Sequence, residues 1–286
     1  MPNADTLQET SSTAAHEVHT VAIIGAGTMG GGIATLCLMN GLAVRLYDPS
    51  EAALEKAQSR LRKRNDEQAM ARCLLSNDLG QLVHDADYVI EAVPEKLELK
   101  RDIFAQLDAL TPAHSILATN TSELSVTAIA AATKRPAQVI GMHWFNPPER
   151  MALVEIVQAV QTSEATLATT QALAARCGKQ TVVVKDRQGF VTTRALAALL
   201  GEAMRMLEEG IASPEDIDTA VKLGLNHPMG PLELADYVGL DTMLFISESM
   251  TEAMGERFRP TQTLRKLVEA GRLGRKSGAG FYHYDQ

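Results

Sequence analysis

A glycine-rich turn and a carboxylate downstream of it are the first features of the sequence with recognisable chemistry. The turn reads Gly25-Ala-Gly27-Thr28-Met29-Gly30 and stands between an apolar run and a stretch of helical character. Glycines at these three positions allow a tight turn, a close backbone approach to a pyrophosphate, and close packing of helix on strand. Asp48 closes the next apolar run, where a carboxylate reaches a ribose 2′-hydroxyl. The pattern predicts a dinucleotide site that contains Gly25, Gly27, Thr28, Met29, Gly30 and Asp48; a glycine-rich packing turn is the alternative.

NAD is the expected form of the dinucleotide. Pro49 and Ser50 follow Asp48 and offer no arginine for the 2′-phosphate of NADP. The Asp48 carboxylate would itself repel such a phosphate. The sequence therefore favours NAD over NADP.

One histidine is placed for proton transfer. His143 ends a predicted strand on the side of the sheet where ligands bind, and Glu155 lies in the next predicted strand. A glutamate in an apolar strand needs a partner, so Glu155 could hold one imidazole nitrogen while the other takes the proton of a substrate hydroxyl. The alternative is a hydrogen-bonded core histidine, which is the commoner role of a lone histidine.

Apolar runs that alternate with helical stretches predict the elements that position these residues. The predicted strands are residues 21–24, 43–47, 88–90, 116–118, 139–142, 152–157 and 181–184. The predicted helices are 33–39, 51–64, 97–110 and 164–177, and beyond Asp186 they are 190–209, one from 214, 232–237, 242–254 and 264–270. This order predicts an α/β fold, a Rossmann-type doubly wound and mostly parallel sheet followed by an all-α C-terminal domain. We expect a disordered leader over residues 1–19, a Rossmann domain over 20–186 and a helical domain over 187–286.

The composition is that of a globular protein and limits its partners. Of 286 residues, 45% are apolar, and 35 acidic against 27 basic residues give a net charge of −8. Such a surface repels nucleic acid and anionic membranes, so we expect neither as a partner. Cys37, Cys73 and Cys177 show neither metal-ligand spacing nor a disulfide framework, and residues 1–20 lack the apolar run of a secretory signal. We expect no bound metal and a cytoplasmic location.

Six short motifs in one order make the chain resemble a known family. They are Glu91-Ala-Val-Pro-Glu95, Ala118-Thr-Asn120-Thr-Ser122, Gly141-Met-His143-Trp-Phe-Asn146-Pro147, Gly189-Phe190-Val191, His227-Pro-Met-Gly-Pro-Leu-Glu-Leu and Gly274-Arg-Lys276-Ser-Gly. From Thr20 to its end the sequence closely resembles the short-chain L-3-hydroxyacyl-CoA dehydrogenases, including bacterial 3-hydroxybutyryl-CoA dehydrogenases. The resemblance implies reversible NAD-linked oxidation of a (3S)-hydroxyacyl-CoA thioester to the 3-oxoacyl thioester. It also implies a homodimer whose interface lies in the helical domain.

The resemblance implies roles for individual residues. His143 would be the acid/base, Glu155 its orienting partner, and Ser122 a hydrogen-bonding contact of the substrate. The residues that would contact the cofactor are Glu95, Lys100, Asn146 and Lys276. Two of these assignments have simpler alternatives, because Ser122 could form a turn or N-cap and Lys100 could be an exposed charge of a helix.

Two departures from the family pattern bear on the substrate. The asparagine of the family motif Gly-Phe-x-x-Asn-Arg is Thr193 here, a substrate-side contact that keeps a hydroxyl but loses the reach of the amide. We therefore expect lower activity or a differently shaped substrate. The interval between Asp48 and Glu91 is shorter than in the family, where it holds a helical hairpin that clamps the CoA tail. Its basic run Arg60-Leu-Arg62-Lys63-Arg64 could bind the phosphates of CoA or an acidic carrier protein, or could form a solvated helix face.

Two other functions stay open. The first keeps the hydride chemistry but acts on a carrier-protein-bound or free hydroxy acid, and the shortened interval favours it. The second is a protein that binds NAD without turnover, and Thr193 favours it. The joint presence of His143, Glu155 and Ser122 argues against this second alternative.

Overall fold

The computed structural model describes residues 15–284, which divide into two compact units between Asp186 and Arg187. Of the predicted leader, residues 1–14 lie outside the described residues. The rest of it contacts the first unit: the N–H of His16 donates to Oγ1 of Thr169 (2.9 Å), and Val18 is buried. Within residues 15–284, no helix is both long and apolar enough to cross a membrane.

The first unit is built on one eight-stranded sheet. Its strands are β1 (Thr20–Ile24), β2 (Ala43–Tyr47), β3 (Cys73–Ser76), β4 (Tyr88–Glu91), β5 (Ile116–Thr119), β6 (Val139–Trp144), β7 (Leu153–Gln158) and β8 (Gln180–Lys185). They lie in the order β3-β2-β1-β4-β5-β6-β7-β8, and all neighbouring pairs are parallel except β6 with β7. The predicted doubly wound, mostly parallel sheet is confirmed.

Helices connect these strands and form the second unit. Those of the first unit are α1 (Thr28–Met39), α2 (Glu51–Arg62), α3 (Glu67–Met70), α4 (Leu79–Val83), α5 (Leu97–Leu110), α6 (Val126–Ala130) and α7 (Glu164–Arg176). Those of the second unit are α8 (Thr192–Glu208), α9 (Pro214–Gly224), α10 (Pro231–Val238), α11 (Leu240–Met254) and α12 (Gln262–Glu269). Short 3-10 turns lie at Pro136–Gln138, Glu256–Phe258 and Arg275–Ser277.

Local sequence explains where most of these elements begin. All residues of β4 and β5 are buried, as expected for central strands covered on both faces. Side chains that accept a backbone N–H of the first turn cap many of the helices, and they are Ser50, Asp66, Asp78, Ser125, Ser163, Ser213 and Thr261. The elements that the sequence does not predict are short: β3 is a four-residue edge strand with half-exposed side chains, too brief for a clear period.

The parallel strands bring distant parts of the chain to one edge of the sheet. Because β1, β2, β4, β5 and β6 run in the same direction, their carboxyl ends share that edge. The glycine turn follows β1, Asp48 follows β2, Asn120 follows β5, and His143 lies near the end of β6. The residues with predicted chemistry in the first unit therefore meet at one edge.

A buried aspartate joins two helices of the second unit to the end of the chain. Asp218 on α9 accepts the N–H groups of Leu232 (2.7 Å) and Glu233 (2.9 Å) at the start of α10. It also accepts the hydroxyl of Tyr282 (2.8 Å). Burial and the hydrogen bond to Asp218 raise the pKa of Tyr282, so this hydroxyl keeps its proton.

A second buried aspartate holds the same chain end. Asp236 on α10 accepts the N–H groups of Phe281 (2.9 Å) and Tyr282 (3.0 Å) and the hydroxyl of Tyr284 (3.0 Å). Burial and the carboxylate of Asp236 raise the pKa of Tyr284 to about 12. Both aspartates thus serve as anchors for neighbouring backbone.

Candidate active site

The loop between β1 and α1 has the shape that a bound pyrophosphate requires. Gly25 adopts a φ of +108°, and a Cβ there would lie 2.7 Å from the carbonyl oxygen of Ala92. A Cβ on Gly30 would collide with the carbonyl oxygen of Gly25. A Cβ on Gly27 would meet nothing within 4 Å, and no side chain of the described residues caps α1. The loop presents open space and the N–H groups of a helix start, which together suit an anion.

A cavity of about 690 Å³ opens in front of this loop. The predicted residues Gly25, Gly27, Thr28, Met29 and Asp48 all line it, together with residues 92–94 after β4 and apolar side chains of α5. The Asp48 carboxylate is fixed beside the cavity because it accepts the N–H of Ala26 (2.9 Å) and that of Ser50 (2.9 Å). The volume is typical of a small-molecule site, and the donors and the carboxylate fit a dinucleotide.

His143 and Glu155 form the predicted pair. The antiparallel register of β6 and β7 sets them directly opposite each other. Nδ1 of His143 donates to Oε2 of Glu155 at 2.8 Å, and Glu155 is fully buried while His143 is 8% exposed. Since Nδ1 is engaged by the carboxylate, Nε2 is the ring nitrogen that can exchange a proton with a ligand.

Lys100 is buried and is not an exposed charge on the surface of a helix. Its side chain is fully buried and its Nζ donates to Oε1 of Glu91 at 2.7 Å. The alternative of an exposed helix charge is therefore wrong, because Lys100 lies on the buried face of α5 with Phe104 and Leu107. A contact between Lys100 and the cofactor stays a prediction.

Glu95 connects Lys100 to the loop that carries Ser122. Its Oε2 lies 3.3 Å from Nζ of Lys100, and its Oε1 accepts the N–H (2.8 Å) and the hydroxyl (3.3 Å) of Ser122. The hydroxyl of Thr121 donates to the same oxygen. The N-cap of α6 is Ser125, so the N-cap alternative for Ser122 is wrong, while its alternative as a turn residue stays open.

Two polar residues of this edge are absent from the predicted site. Oδ1 of Asn120 accepts the N–H of Trp144 (2.9 Å), and the N–H of Asn120 donates to the carbonyl of Glu91 (2.7 Å). These bonds tie the ends of β4, β5 and β6 together next to His143. The signal in the sequence is a polar residue placed directly at or after the end of an apolar strand, as both Glu91 and Asn120 are.

The loop after β6 contains the predicted cofactor contact Asn146, which is exposed. The bond between Asn146 and Pro147 is cis. Nζ of Lys179 holds the loop by donating to the carbonyl of Pro148 (2.6 Å), and a Cβ on Gly32 of α1 would lie 2.9 Å from the Pro148 ring. Asn146 therefore lies on a loop that packs against the helix of the glycine turn.

Two predicted site residues lie in the second unit. Thr193 is buried in the first turn of α8. Nζ of Lys276 donates to both carboxylate oxygens of Asp241, each at 2.6 Å. Burial raises the pKa of Asp241, but the hydrogen bond and charge of Lys276 outweigh it and lower the pKa below its ordinary value.

The basic run ends α2 and continues beyond it. Arg60 is half-buried beside α1, where its Nη1 lies 3.2 Å from the position of a Cβ on Gly31. Nη1 of Arg64 lies 4.0 Å from Oε1 of Glu149 in the loop after β6. Arg62 and Lys63 are exposed. The run therefore borders both the glycine-turn helix and the loop of Asn146.

The chain matches two family descriptions over most of its length. The 3-hydroxyacyl-CoA dehydrogenase NAD binding domain matches residues 20–187, and the 3-hydroxyacyl-CoA dehydrogenase C-terminal domain matches residues 189–284. The 3-hydroxybutyryl-CoA dehydrogenase of Mycobacterium tuberculosis is 42% identical over 283 residues, which are 93% of this chain and 99% of the relative. The mitochondrial hydroxyacyl-coenzyme A dehydrogenase of Sus scrofa is 40% identical over 299 residues, with 96% of this chain and 95% of the relative covered.

Solved structures agree with these matches. The crystal structure of (S)-3-hydroxybutyryl-CoA dehydrogenase PaaH1 from Ralstonia eutropha is 43% identical to this chain and superposes with a TM-score of 0.90. The superposition covers 94% of this chain and 100% of that chain. The similarity extends over both units.

Proposed function

Because the chain belongs to the 3-hydroxyacyl-CoA dehydrogenase family and is an NAD-dependent oxidoreductase, we propose that its substrates are short-chain (3S)-3-hydroxyacyl-CoA thioesters such as 3-hydroxybutyryl-CoA. The names of the relatives from Mycobacterium and Ralstonia support the short chain. The observation that carries the proposal is the His143–Glu155 hydrogen bond at the sheet edge that also holds the glycine turn.

His143 moves the proton in this reaction. Bound NAD supplies the hydride acceptor. Nε2 of His143 takes the proton of the substrate hydroxyl, and Glu155 orients the ring and stabilises its charged form. In the reverse direction the same imidazolium returns the proton to the oxygen of the 3-oxo group.

Ser122 and Thr193 supply hydroxyl contacts to the substrate. The cofactor is held by the glycine turn and Asp48, with further contacts from Glu95, Asn146 and Lys276. The cavity that the glycine turn and Asp48 line supports their contacts with the cofactor. The resemblance to the family supports the contacts of Glu95, Asn146 and Lys276. Arg62 and Lys63, which are exposed at the end of α2, bind the phosphates of CoA.

The protein is a homodimer that forms through the helical unit and works in the cytoplasm. Large apolar side chains of that unit are exposed, among them Ile211, Leu223, Leu225 and Phe245, and exposed apolar surface favours association. The three cysteines are free, which suits a reducing compartment. Light scattering during size exclusion tests the dimer, and the mass of a single chain at micromolar concentration would contradict it.

A rate comparison tests the substrate. Acetoacetyl-CoA, longer 3-oxoacyl-CoAs and an uncharged short thioester are each reduced with NADH, and kcat/KM should be highest for acetoacetyl-CoA. Lys63→Gln should raise KM for acetoacetyl-CoA and leave KM for the uncharged thioester unchanged. Preference for the uncharged thioester would instead favour a carrier-bound or free hydroxy acid. NADH binding without oxidation of NADH by any substrate would contradict the proposed reaction.

A further inference from the structure

The loop between β6 and β7, residues 145–152, joins the two strands of the proton-transfer pair and contains Asn146. The carbonyl of Pro147 accepts the N–H groups of Arg150 (3.0 Å) and Met151 (3.1 Å), so the chain turns back on itself directly after Asn146. A contact that holds this turn in place therefore also limits where the Asn146 side chain can lie.

The loop packs closely on α1, the helix that begins in the glycine turn. A Cβ on Gly32 would lie 2.9 Å from Cδ of Pro148 and 3.2 Å from Oε2 of Glu149, so a larger residue than glycine would displace the loop. Packing this close resists movement of the loop toward the helix. Movement of the loop away from the helix must be resisted by another contact.

Lys179 supplies such a contact through its charged side chain. Its Nζ donates to the carbonyl of Pro148 (2.6 Å) and to that of Met151 (2.7 Å), so one ammonium group holds both ends of the turn. Hydrogen bonds of this kind, with a charged donor, are roughly twice as strong as neutral ones. Burial lowers the pKa of Lys179, although the charge of Glu149 opposes this shift. The ammonium group is thus partly withdrawn from water at the loop.

The backbone of Lys179 is itself fixed by the elements on either side of it. Its N–H donates to the carbonyl of Ala174 in the last turn of α7 (3.0 Å). The N–H of Gln180, where β8 begins, donates to the carbonyl of Ala152 (2.8 Å). A lysine with a fixed backbone can hold a loop in one place, because its side chain spans from a rigid base to the two carbonyls.

We propose that Lys179 is a positioning residue that holds the loop of Asn146 against α1 and thereby sets how tightly the cofactor binds. Without the ammonium group the two carbonyls would turn to water, and the contact with α1 alone would not keep the turn from moving outward. Asn146 would move with the turn and lose its hydrogen bond to the cofactor. This inference rests on the proposed contact between Asn146 and the cofactor.

A double-mutant cycle on NADH affinity tests this role. The variants are Lys179→Met, Asn146→Ala and the double variant, and calorimetry gives the Kd of NADH for each of them and for the wild type. One lost hydrogen bond weakens binding by about tenfold, so each single variant should raise the Kd about tenfold. Because both variants remove the same contact, the double variant should stay within about threefold of the weaker-binding single variant. Losses that multiply to about 100-fold would overturn the proposal.

A conservative variant and a matched control separate positioning from general stability. Lys179→Arg should restore the Kd to within about threefold of wild type, because a guanidinium group can donate to two carbonyls at once. The control is Arg176→Met, since Arg176 also donates to two carbonyls, those of Val18 (2.8 Å) and Asn40 (3.2 Å), in segments without predicted site residues. It should leave the Kd unchanged. Equal rises in the Kd for Lys179→Met and Arg176→Met would overturn the proposal.

The single variants also distinguish this inference from the proposed function. If Asn146→Ala weakens NADH binding while Lys179→Met stays within about threefold of wild type, this inference alone is overturned. Wild-type affinity of Asn146→Ala would instead contradict the proposed cofactor contact. If Lys179→Met does not melt cooperatively, Lys179→Gln replaces it in the same cycle, because its side chain is uncharged and one bond shorter. The same results then decide.

Discussion

Both units of the protein bury carboxylates, but they surround them with different partners. In the first unit Glu155 faces the imidazole of His143 and Glu91 faces the ammonium group of Lys100. In the second unit Asp218 and Asp236 accept backbone N–H groups and tyrosine hydroxyls. An imidazole can gain or lose a proton near neutral pH, whereas a backbone amide cannot. The partner of a buried acid, more than its burial, indicates whether it takes part in chemistry.

The same contrast applies to what each carboxylate holds in place. Asp218 and Asp236 fasten the start of α10 and the chain end at residues 281–284, so their effect is on stability. Glu155 and Glu91 fasten side chains at the edge of the sheet where the cavity opens. Variants of the two groups should therefore affect different measurable quantities.

The largest effect on stability is expected for Asp236→Asn. The amide would leave the half-buried N–H of Tyr282 and hydroxyl of Tyr284 without their acceptor. An unsatisfied buried group costs about 1–3 kcal/mol, so the variant should lose about 2–4 kcal/mol of unfolding free energy. Urea unfolding of the second unit's helices, followed by circular dichroism, measures this loss. NADH affinity should be unchanged. The control is Asp241→Asn, which changes a half-exposed acid of the same unit. Equal free energies of unfolding for the two variants would contradict the stabilising role of Asp236.

Glu155→Gln, unlike Asp236→Asn, should affect the rate of the reaction and not the stability of the fold. The amide keeps the size of the side chain but removes the charge that stabilises the imidazolium, so kcat should fall by about 10- to 100-fold. The Kd of NADH should stay near that of wild type. Steady-state kinetics and calorimetry measure the two values, and an unchanged kcat at neutral pH would place Glu155 with the structural acids.

Asp48 sharpens the comparison, because among residues 15–284 it accepts only backbone N–H groups and yet it lines a cavity. Its carboxylate should accept the ribose 2′-hydroxyl and repel a 2′-phosphate, so kcat/KM should be at least about tenfold higher with NADH than with NADPH. Asp48→Asn should bring the kcat/KM value with NADH closer to the value with NADPH. Equal kcat/KM values of the wild type with NADH and with NADPH would show that Asp48 does not contact the ribose of the cofactor.

The smallest effect is expected for the Asp241–Lys276 pair. Because Lys276 lowers the pKa of Asp241, the pair stabilises the folded state above the ordinary pKa of 3.8 and loses this contribution as the pH falls below it. Thermal melts of wild type and Asp241→Asn between pH 7 and pH 3 measure the difference. The two melting temperatures should converge in acid, and a constant gap would show that the charge of Asp241 is not involved.

The sequence predicts the part of the site that depends on strand order. Parallel strands must end at one edge, so the glycine turn, Asp48 and the His143–Glu155 pair follow from the positions of apolar runs. The burial of Lys100 does not follow, because a lysine in a partly polar helix looks solvated and its partner Glu91 is carried by a different element. β3 and α4 escape prediction because segments of four or five residues show no clear period. The roles of Thr193 and Lys276 stay predictions.

Single-turnover reduction of acetoacetyl-CoA by bound NADH tests most directly whether His143 transfers the proton. The absorbance of NADH is followed in wild type and in His143→Ala after rapid mixing, with the Kd of NADH measured separately. Positioned proton transfer contributes about 10²- to 10⁴-fold, so the variant should bind NADH normally and oxidise it slower by that factor. A folded His143→Ala protein that oxidises NADH within about threefold of the wild-type rate would contradict the account and make His143 a core residue.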